Sequence, residues 1–562
     1  MNDTSKLNNI AEKVWQRCLK RDPYLRLRMG ETITSIPANT RKEALEDASF
    51  ARKIAAELKE IDPKTLAHDD WLTLEFLRDQ MDTLSYKEDA WLTDFPVTPH
   101  TGFWLSFYAQ EIFASFRFEE KEDLNRYIKL TEDYAEMVRA SLEQLQAQAE
   151  QGWRIPRPAL TGVRITLEGI KKSIPSFLNV GLERISHLSS STYKILNAEK
   201  QRFIQENIET AFNTVMAYLD NDYESLAPDA VGIGQFEGGE EAYSRFLRQY
   251  VTKEMDPEKV HAIGLEQVAD LTEAMHQVRE SLGFSESEEV FHNELRSSGK
   301  IYANSPEEVE KTYRYHIKRI EPFLDQYFAT LPKAPYDVKR LDPALEPGLS
   351  YGYYEPPTEN RPVGLYRYNG SDLETRSQLQ AATLIYHELV PGHHFQLAGQ
   401  SENKNLPLIR REIIALDGFL EGWAEYAGGL PKEMGLYDDP YDLYGRLVHE
   451  RFIAQRLVID TGMNVLGWSL ERGRAFMQAN TMESKAQIDS ETLRYSTDLP
   501  AQSLAYRLGY LEMTRLREMA EKELDSDFDI RAFHQAILDP GALPLSVLEE
   551  HIRVFIRKST RR

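Results

Sequence analysis

Three of the chain's 13 histidines fall within eight positions, together with a glutamate, in the run Tyr386-His387-Glu388-Leu389-Val390-Pro391-Gly392-His393-His394-Phe395-Gln396. Neutral imidazoles bind Zn²⁺, and a carboxylate beside them can take a proton from a metal-bound water, so these residue types suit metal-assisted hydrolysis. In the common zinc-hydrolase helix, two histidines stand four apart with a glutamate directly after the first. Here the fourth position after His387 is Pro391, so the spacing is altered.

The alteration has a geometric consequence. A straight helix advances about 1.5 Å and turns about 100° per residue, which would point His393 roughly 120° away from His387. His394 would return to the same face but roughly 10 Å farther along the axis, whereas two nitrogens on one zinc sit only about 3–3.5 Å apart. Pro391 removes a backbone hydrogen bond and clashes with the preceding turn, and Gly392 admits backbone angles closed to other residues. The helix is therefore expected to kink or bulge there. If the break absorbs about two residues, His393 takes the place of the second ligand. His393 is favoured, and His394 stays open as the alternative. A competing reading without metal is a capped helix end carrying hydrogen-bonded histidines.

A catalytic zinc needs a third protein ligand and an open position for water. Downstream, Leu416-Asp417-Gly418-Phe419-Leu420-Glu421-Gly422-Trp423-Ala424-Glu425-Tyr426-Ala427 sets Asp417, Glu421 and Glu425 at four-residue steps, on one helix face. Glu421 follows His393 by the kind of interval that separates the two ligand helices of glutamate-ligated zinc hydrolases. It is taken as the third ligand, with Asp417 or Glu425 orienting a ligating histidine. The plain alternative is a solvated acidic face. Small Gly422 and Ala424 beside Trp423 argue for close packing instead.

The runs Tyr-His-Glu-Leu-Val-Pro-Gly-His-His and Glu-Gly-Trp-Ala-Glu-Tyr resemble the two signature motifs of domain-of-unknown-function family 885, whose pattern is similar to the thimet-oligopeptidase side of the zincins. The Gly392-His393 pair resembles the oligopeptidase version of the second-ligand site. Gly152-Trp153-Arg154-Ile155-Pro156-Arg157, Arg456 to Gly462 with Gly467-Trp468-Ser469, and Arg494-Tyr495 with Pro500 to Gly509 resemble further blocks of that family, in order along the chain. Two positions depart from its pattern: Asn464 stands where histidine is usual, and Ala501 where glycine is usual. Asn464 can hydrogen-bond but cannot shuttle a proton. The resemblance implies a mainly α, large two-lobed zincin/oligopeptidase-like fold and a metallopeptidase activity.

The rest of the chain fits a large intracellular enzyme. With 562 residues, 41% of them hydrophobic, it has material for two lobes, read as a helical scaffold over 1–345 and a metal-binding catalytic lobe over 346–562. Apolar residues recur at three- and four-residue steps over 124–145, 199–220, 258–281, 306–328 and 507–523. Breaks fall at Asp62-Pro63, Pro156 to Pro158, Ala227 to Asp229 and Gly232 to Gly239. Between Leu349 and Asn369, aromatic alternation interrupted by Pro356-Pro357 predicts a short β-hairpin just upstream of the metal helix. It would serve either as a strand edge for an extended substrate or merely as a cover for the core.

A formal charge of −23 argues against nucleic acid as a partner. The single cysteine, Cys18, excludes an internal disulfide framework, and neither a secretory signal nor a bilayer-spanning apolar stretch is read, so no membrane partner is expected and the cytoplasm is the expected compartment. Oligomeric state is not legible.

The chemistry expected is a zinc-dependent hydrolysis of peptides or small amides. His387, His393 and Glu421 hold Zn²⁺, Glu388 acts as general base, and Tyr506 or Arg507 donates to the oxyanion. The alternative role for Arg507 is to hold a substrate carboxylate, which would favour cleavage near a C-terminus. Ordinary roles for both, a buried tyrosine hydroxyl and a surface arginine, compete with this. Two other functions stay open: an amidohydrolase acting on small acylated amino acids, and a non-catalytic binding protein on the same scaffold, against which Glu388 speaks. His449-Glu450 repeats the His-Glu dipeptide, but Ile453 occupies the fourth position and no histidine follows nearby, so it is set aside as a decoy.

Overall fold

The structure, a computed structural model, describes residues 2–560 apart from 121, 186–193, 195–197, 200–201, 221, 344–345, 347–350, 359–360 and 414–415. The fold is mainly α, and its described strands form one small sheet. No helix among the described residues is long and apolar enough to cross a membrane.

The chain divides into two compact units: Met1–Leu66 with Leu77–Ala242 and Ser496–Pro500, and Ala67–Phe76 with Tyr243–Tyr495 and Ala501–Arg562. The expected boundary at 345/346 therefore falls inside the second unit. The true division lies about a hundred residues earlier because the helix Pro257–Ser281 (α1) packs with the second unit, its Gly264 set directly against Leu457 and Val458.

Unit one is built on long amphipathic helices. In Asp123–Glu150, Leu124, Tyr127, Leu130, Tyr134, Val138 and Leu145 are buried at helical spacing, the stripe that the sequence shows. The Gly152 to Arg157 block lies in this unit, where the Trp153 ring stacks on Phe236 at 4.6 Å.

In unit two, the periodic stretch 306–328 is not one helix. Pro306–Ile320 ends in a 3₁₀ turn, Glu321–Phe323, because Pro322 lacks the N–H that continuation needs. The strand Tyr336–Arg340 (β1) runs parallel to Gly364–Tyr368 (β3), and Gly352–Glu355 (β2) runs antiparallel to it, giving the order β1-β3-β2. The expected β2/β3 hairpin is present, with Tyr354 opposite Tyr366; its first positions, Leu349 and Ser350, lie outside the described residues. The third strand, β1, was not expected.

Five further helices of this unit carry the site: Ala381–Glu388 (α2), His393–Glu402 (α3), Asp417–Gly429 (α4), Pro440–Asn464 (α5) and Leu504–Leu524 (α6). Helices α4 and α6 cross in near backbone contact. A Cβ on Gly422 would sit 2.6 Å from the Gly509 Cα, so two glycines facing each other allow an approach that no larger pair permits.

Candidate metal centre

The break between α2 and α3 is built from the residues that predict it. Leu389 leaves the helical region at φ −109°, ψ −89°, Val390-Pro391 is cis, and Gly392 adopts φ −78°, ψ −123° before α3 starts at His393. A Cβ on Gly392 would collide with the His387 carbonyl oxygen, so glycine is required by close approach. The carbonyls of Pro391 and Gly392 accept from the Trp423 indole N–H at 3.1 and 3.3 Å. One residue of the Glu-Gly-Trp-Ala-Glu-Tyr run thus satisfies two carbonyls at the break, tying α4 to it.

The break brings His387 and His393 together. Their ring centroids lie 4.7 Å apart at 88°, and their Nε2 atoms face the same oxygen, Glu421 Oε2, at 3.5 and 3.4 Å. One ligand atom from each of the three residues falls within 4.8 Å of the others. Glu421 Oε2 is buried and receives no hydrogen bond among the described residues. The His387 Nδ1 lies 2.8 Å from Glu425 Oε1, close enough for an ion pair but off the in-line direction of a hydrogen bond. A proton drawn to that side leaves the Nε2 lone pair facing an anionic oxygen, an arrangement that a cation between them relieves. Two imidazole nitrogens and one carboxylate oxygen make the donor set of a catalytic zinc site, so the residues fit this metal.

The electrostatics agree with an anionic cage. Burial alone would lower the His387 pKa, but Glu425 and Glu421 outweigh it and hold the ring up at about 10. Burial alone would raise Glu421, but His393 and His387 bring it down to about 2.

Glu425 is the residue that orients His387. Its Oε1 also accepts from His449 Nε2 at 2.9 Å, Arg446 Nη1 stands 3.6 Å from its Oε2, and Arg446 Nη2 donates to its backbone carbonyl at 3.1 Å. Glu450 accepts from Arg446 Nε at 2.7 Å. His449 therefore belongs to the site's support although it forms no second metal helix. Sequence reading set it aside for lack of a partner four residues on, when the partner comes from α4. His387, Glu425 and His449 also bring ligand atoms within 4.8 Å of one another, but Glu425 Oε1 there already serves both rings, as a supporting carboxylate does.

The other expected residues fall into two groups. Glu388 ends α2 and makes no hydrogen bond or ion pair among the described residues; burial, and then the neighbouring Glu421 and Glu425, raise its carboxyl pKa against the pull of His387 and His393. The Tyr506 ring lies parallel to His387 with centroids 6.5 Å apart, and burial together with Glu421 keeps its hydroxyl protonated.

Arg507 requires correction. It is buried, its Nε donates to Gln267 at 3.0 Å and its Nη1 to Glu450 at 3.2 Å, so its donors are committed within the scaffold. The guanidinium against Tyr506 is that of Arg456, 4.8 Å from the ring centre. His394 is settled against ligation: its Nδ1 meets the Tyr354 hydroxyl at 2.8 Å and its Nε2 the Ala334 carbonyl at 3.0 Å. Asp417 contacts Gln502 at 3.4 Å, and burial with Glu421 pushes its pKa up to about 6.

Asn464 is structural. Its Nδ2 donates to the Tyr495 carbonyl at 2.9 Å and to Asp460 Oδ1 at 3.0 Å. Asp460 in turn accepts from Tyr243 and Ser503 hydroxyls, each at 2.8 Å, and from the Ala501 N–H at 3.1 Å. This buried hub fixes the entry to α6, and with it Tyr506.

Fold and site together define a mainly α protein with a preformed cluster of two histidines and a glutamate at a helix break. The chain belongs to the family described as bacterial protein of unknown function (DUF885), whose model matches residues 23–552. Among solved structures it is similar to a candidate lipoprotein from Colwellia psychrerythraea, with TM-score 0.86, 23% identity, and coverage of 99% of this chain and 100% of that one. It is also similar to a candidate lipoprotein of unknown function from Shewanella oneidensis, with TM-score 0.73, 16% identity, and coverage of 98% and 99%. At these identities the likeness is one of fold. No curated protein matches the sequence.

Proposed function

We propose that the protein is a zinc-dependent metallopeptidase related in mechanism to the glutamate-zincins. The observation that carries this reading is the convergence of His387 Nε2 and His393 Nε2 on the buried, donor-free Glu421 Oε2. Zn²⁺ bound by these three residues would polarise the scissile carbonyl and acidify a bound water. Glu388 Oε, free of other partners and raised in pKa, takes the proton of the attacking water and delivers it to the leaving nitrogen. The Tyr506 hydroxyl, protonated beside the His387 ring, donates to the oxygen that becomes negative. Glu425, backed by His449 and Arg446, keeps the His387 proton on Nδ1.

An amidohydrolase acting on small acylated amino acids would use the same residues. A binding protein would have no use for the unpartnered Glu388.

The test combines metal analysis with hydrolysis of a mixed peptide library by the wild-type protein and Glu388→Gln. The reading expects zinc in both proteins and a loss of roughly 10²–10⁴-fold in rate for the variant, the usual contribution of a general base. Bound zinc with unchanged hydrolysis would refute the role of Glu388, and no hydrolysis by the wild-type protein would refute the activity.

A further inference from the structure

Next to Tyr506 lies a cluster that the mechanism does not use. Arg456 donates from Nε to the Tyr495 hydroxyl at 2.9 Å and from Nη2 to Glu491 Oε2 at 3.2 Å, and the Tyr495 hydroxyl donates to the same Glu491 oxygen. Arg494 Nη2 stands 3.4 Å from that oxygen, an ion pair without hydrogen-bond geometry, and its guanidinium lies 5.2 Å from the centre of the Tyr495 ring. Its Nε and Nη2 are buried, and neither has a hydrogen-bond acceptor among the described residues. One glutamate oxygen thus faces two guanidinium groups and a hydroxyl. Glu483, the other carboxylate of the cluster, accepts from the Tyr351 hydroxyl and Gln380 Nε2 at 3.2 and 3.4 Å, so its oxygens are engaged away from Arg494. Two guanidinium groups thus share the one Glu491 carboxylate.

The edge formed by Nε and Nη2 is one that arginine offers to a carboxylate in a two-pronged hydrogen bond. Leaving two such donors without a hydrogen bond away from water is costly, and a carboxylate ligand aligned with both removes the cost. The cluster is also close to the reacting centre: burial and Glu421 act on the Tyr506 hydroxyl, and Arg456 and Arg494 act on the same hydroxyl from their side.

We infer that Arg494, braced by Glu491 and Arg456, anchors a free carboxylate of the substrate. This rests on the hydrolase reading and narrows it. Apart from acidic side chains, a peptide carries a carboxylate only at its C-terminus, so the scissile amide is one whose leaving amine bears that group. The substrate class is then a peptide cleaved near its free C-terminus or an N-acyl amino acid. The role expected of Arg507 passes to a residue thirteen positions earlier.

The test uses zinc-loaded full-length Glu388→Gln protein and equilibrium binding of three probe sets: N-acetylated dipeptides with free C-termini, the same dipeptides amidated, and N-acetyl amino acids. Free carboxylates are expected to bind roughly tenfold or more tighter than amides, the value of a charged hydrogen bond. Adding Arg494→Gln should erase the difference, and Arg494→Lys should restore part of it. Tight binding of the N-acetyl amino acids as well would assign the shorter substrate; tight binding of the dipeptides alone would assign the peptide. Equal binding of free and amidated probes, or binding of none, would overturn the inference, and this contrast needs no change at Arg494. Failure of the hydrolase reading shows separately, as absence of turnover by the wild-type protein on probes that bind.

Discussion

Replacing Glu425 by glutamine removes one charge from the support of the metal cluster while keeping its shape. In the native protein Glu425 Oε1 faces His387 Nδ1 at 2.8 Å and His449 Nε2 at 2.9 Å, and Arg446 lies 3.6 Å from Oε2. A glutamine has one carbonyl oxygen for two imidazole N–H groups, and its NH₂ must face either a ring N–H or the Arg446 guanidinium. The His387 ring then loses the partner that fixes its tautomer. Losses of this kind typically weaken metal binding by about 10–100-fold, which is about 1.4–2.8 kcal/mol. The assay is zinc competition against a chelator of known affinity, with wild type and variant run side by side, so that only the ratio matters. His449→Gln, which leaves the carboxylate in place, should cost less. Unchanged zinc affinity in Glu425→Gln, with circular dichroism confirming the fold, would refute the claim that Glu425 positions His387.

Gly422→Ala places a methyl 2.6 Å from the Gly509 Cα and should destabilise the protein by about 1–3 kcal/mol, seen as a lower Tm; an unchanged Tm would contradict the helix crossing. Ala501 holds φ 68° in the left-handed region, where a Cβ costs about 1–2 kcal/mol and glycine's extra chain entropy takes back about 0.5–1, so Ala501→Gly should raise stability by up to about 1.5 kcal/mol and a fall in Tm would refute the strain. His534 accepts from Tyr426 and donates to the Tyr327 carbonyl, both at 2.9 Å, and burial depresses its pKa from 6.5 to about 3. Its neutral form is the folded one, so its contribution is intact above about pH 6.5 and is lost as pH falls toward about 3. Stability measured against pH should therefore decline in that window by up to about 1.4 kcal/mol per pH unit more in the wild type than in His534→Gln, and parallel curves would refute it.

What was legible in the sequence is what local rules control. Pro391 and Gly392 forbid a continuous helix whatever surrounds them, and the break follows, with His387, His393 and Glu421 brought together across it. The four-residue acid stripe on α4 and the aromatic alternation of β2 and β3 are likewise periodic signals. What escaped depends on approaches between distant segments. The pairing of His449 with Glu425 joins α5 to α4, and no spacing rule within either helix announces it. Arg507 and Arg456 look equivalent as residues, and only the packing decides that Gln267 and Glu450 consume one while the other meets Tyr506. The unit boundary escaped because α1 carries the same amphipathic pattern as the helices before it; its partner, α5, is nearly two hundred residues away. Trp423 gave a packing signal, but its role in satisfying the Pro391 and Gly392 carbonyls needs the fold.

Zinc content of three purified proteins separates a metal site from a hydrogen-bonded helix end: wild type, His393→Ala and His394→Ala. About one zinc per chain is expected in the wild type, with retention in His394→Ala and loss in His393→Ala, as for a site with three protein ligands. Zinc retained in His393→Ala and lost in His394→Ala, or no zinc in the wild type, would contradict it.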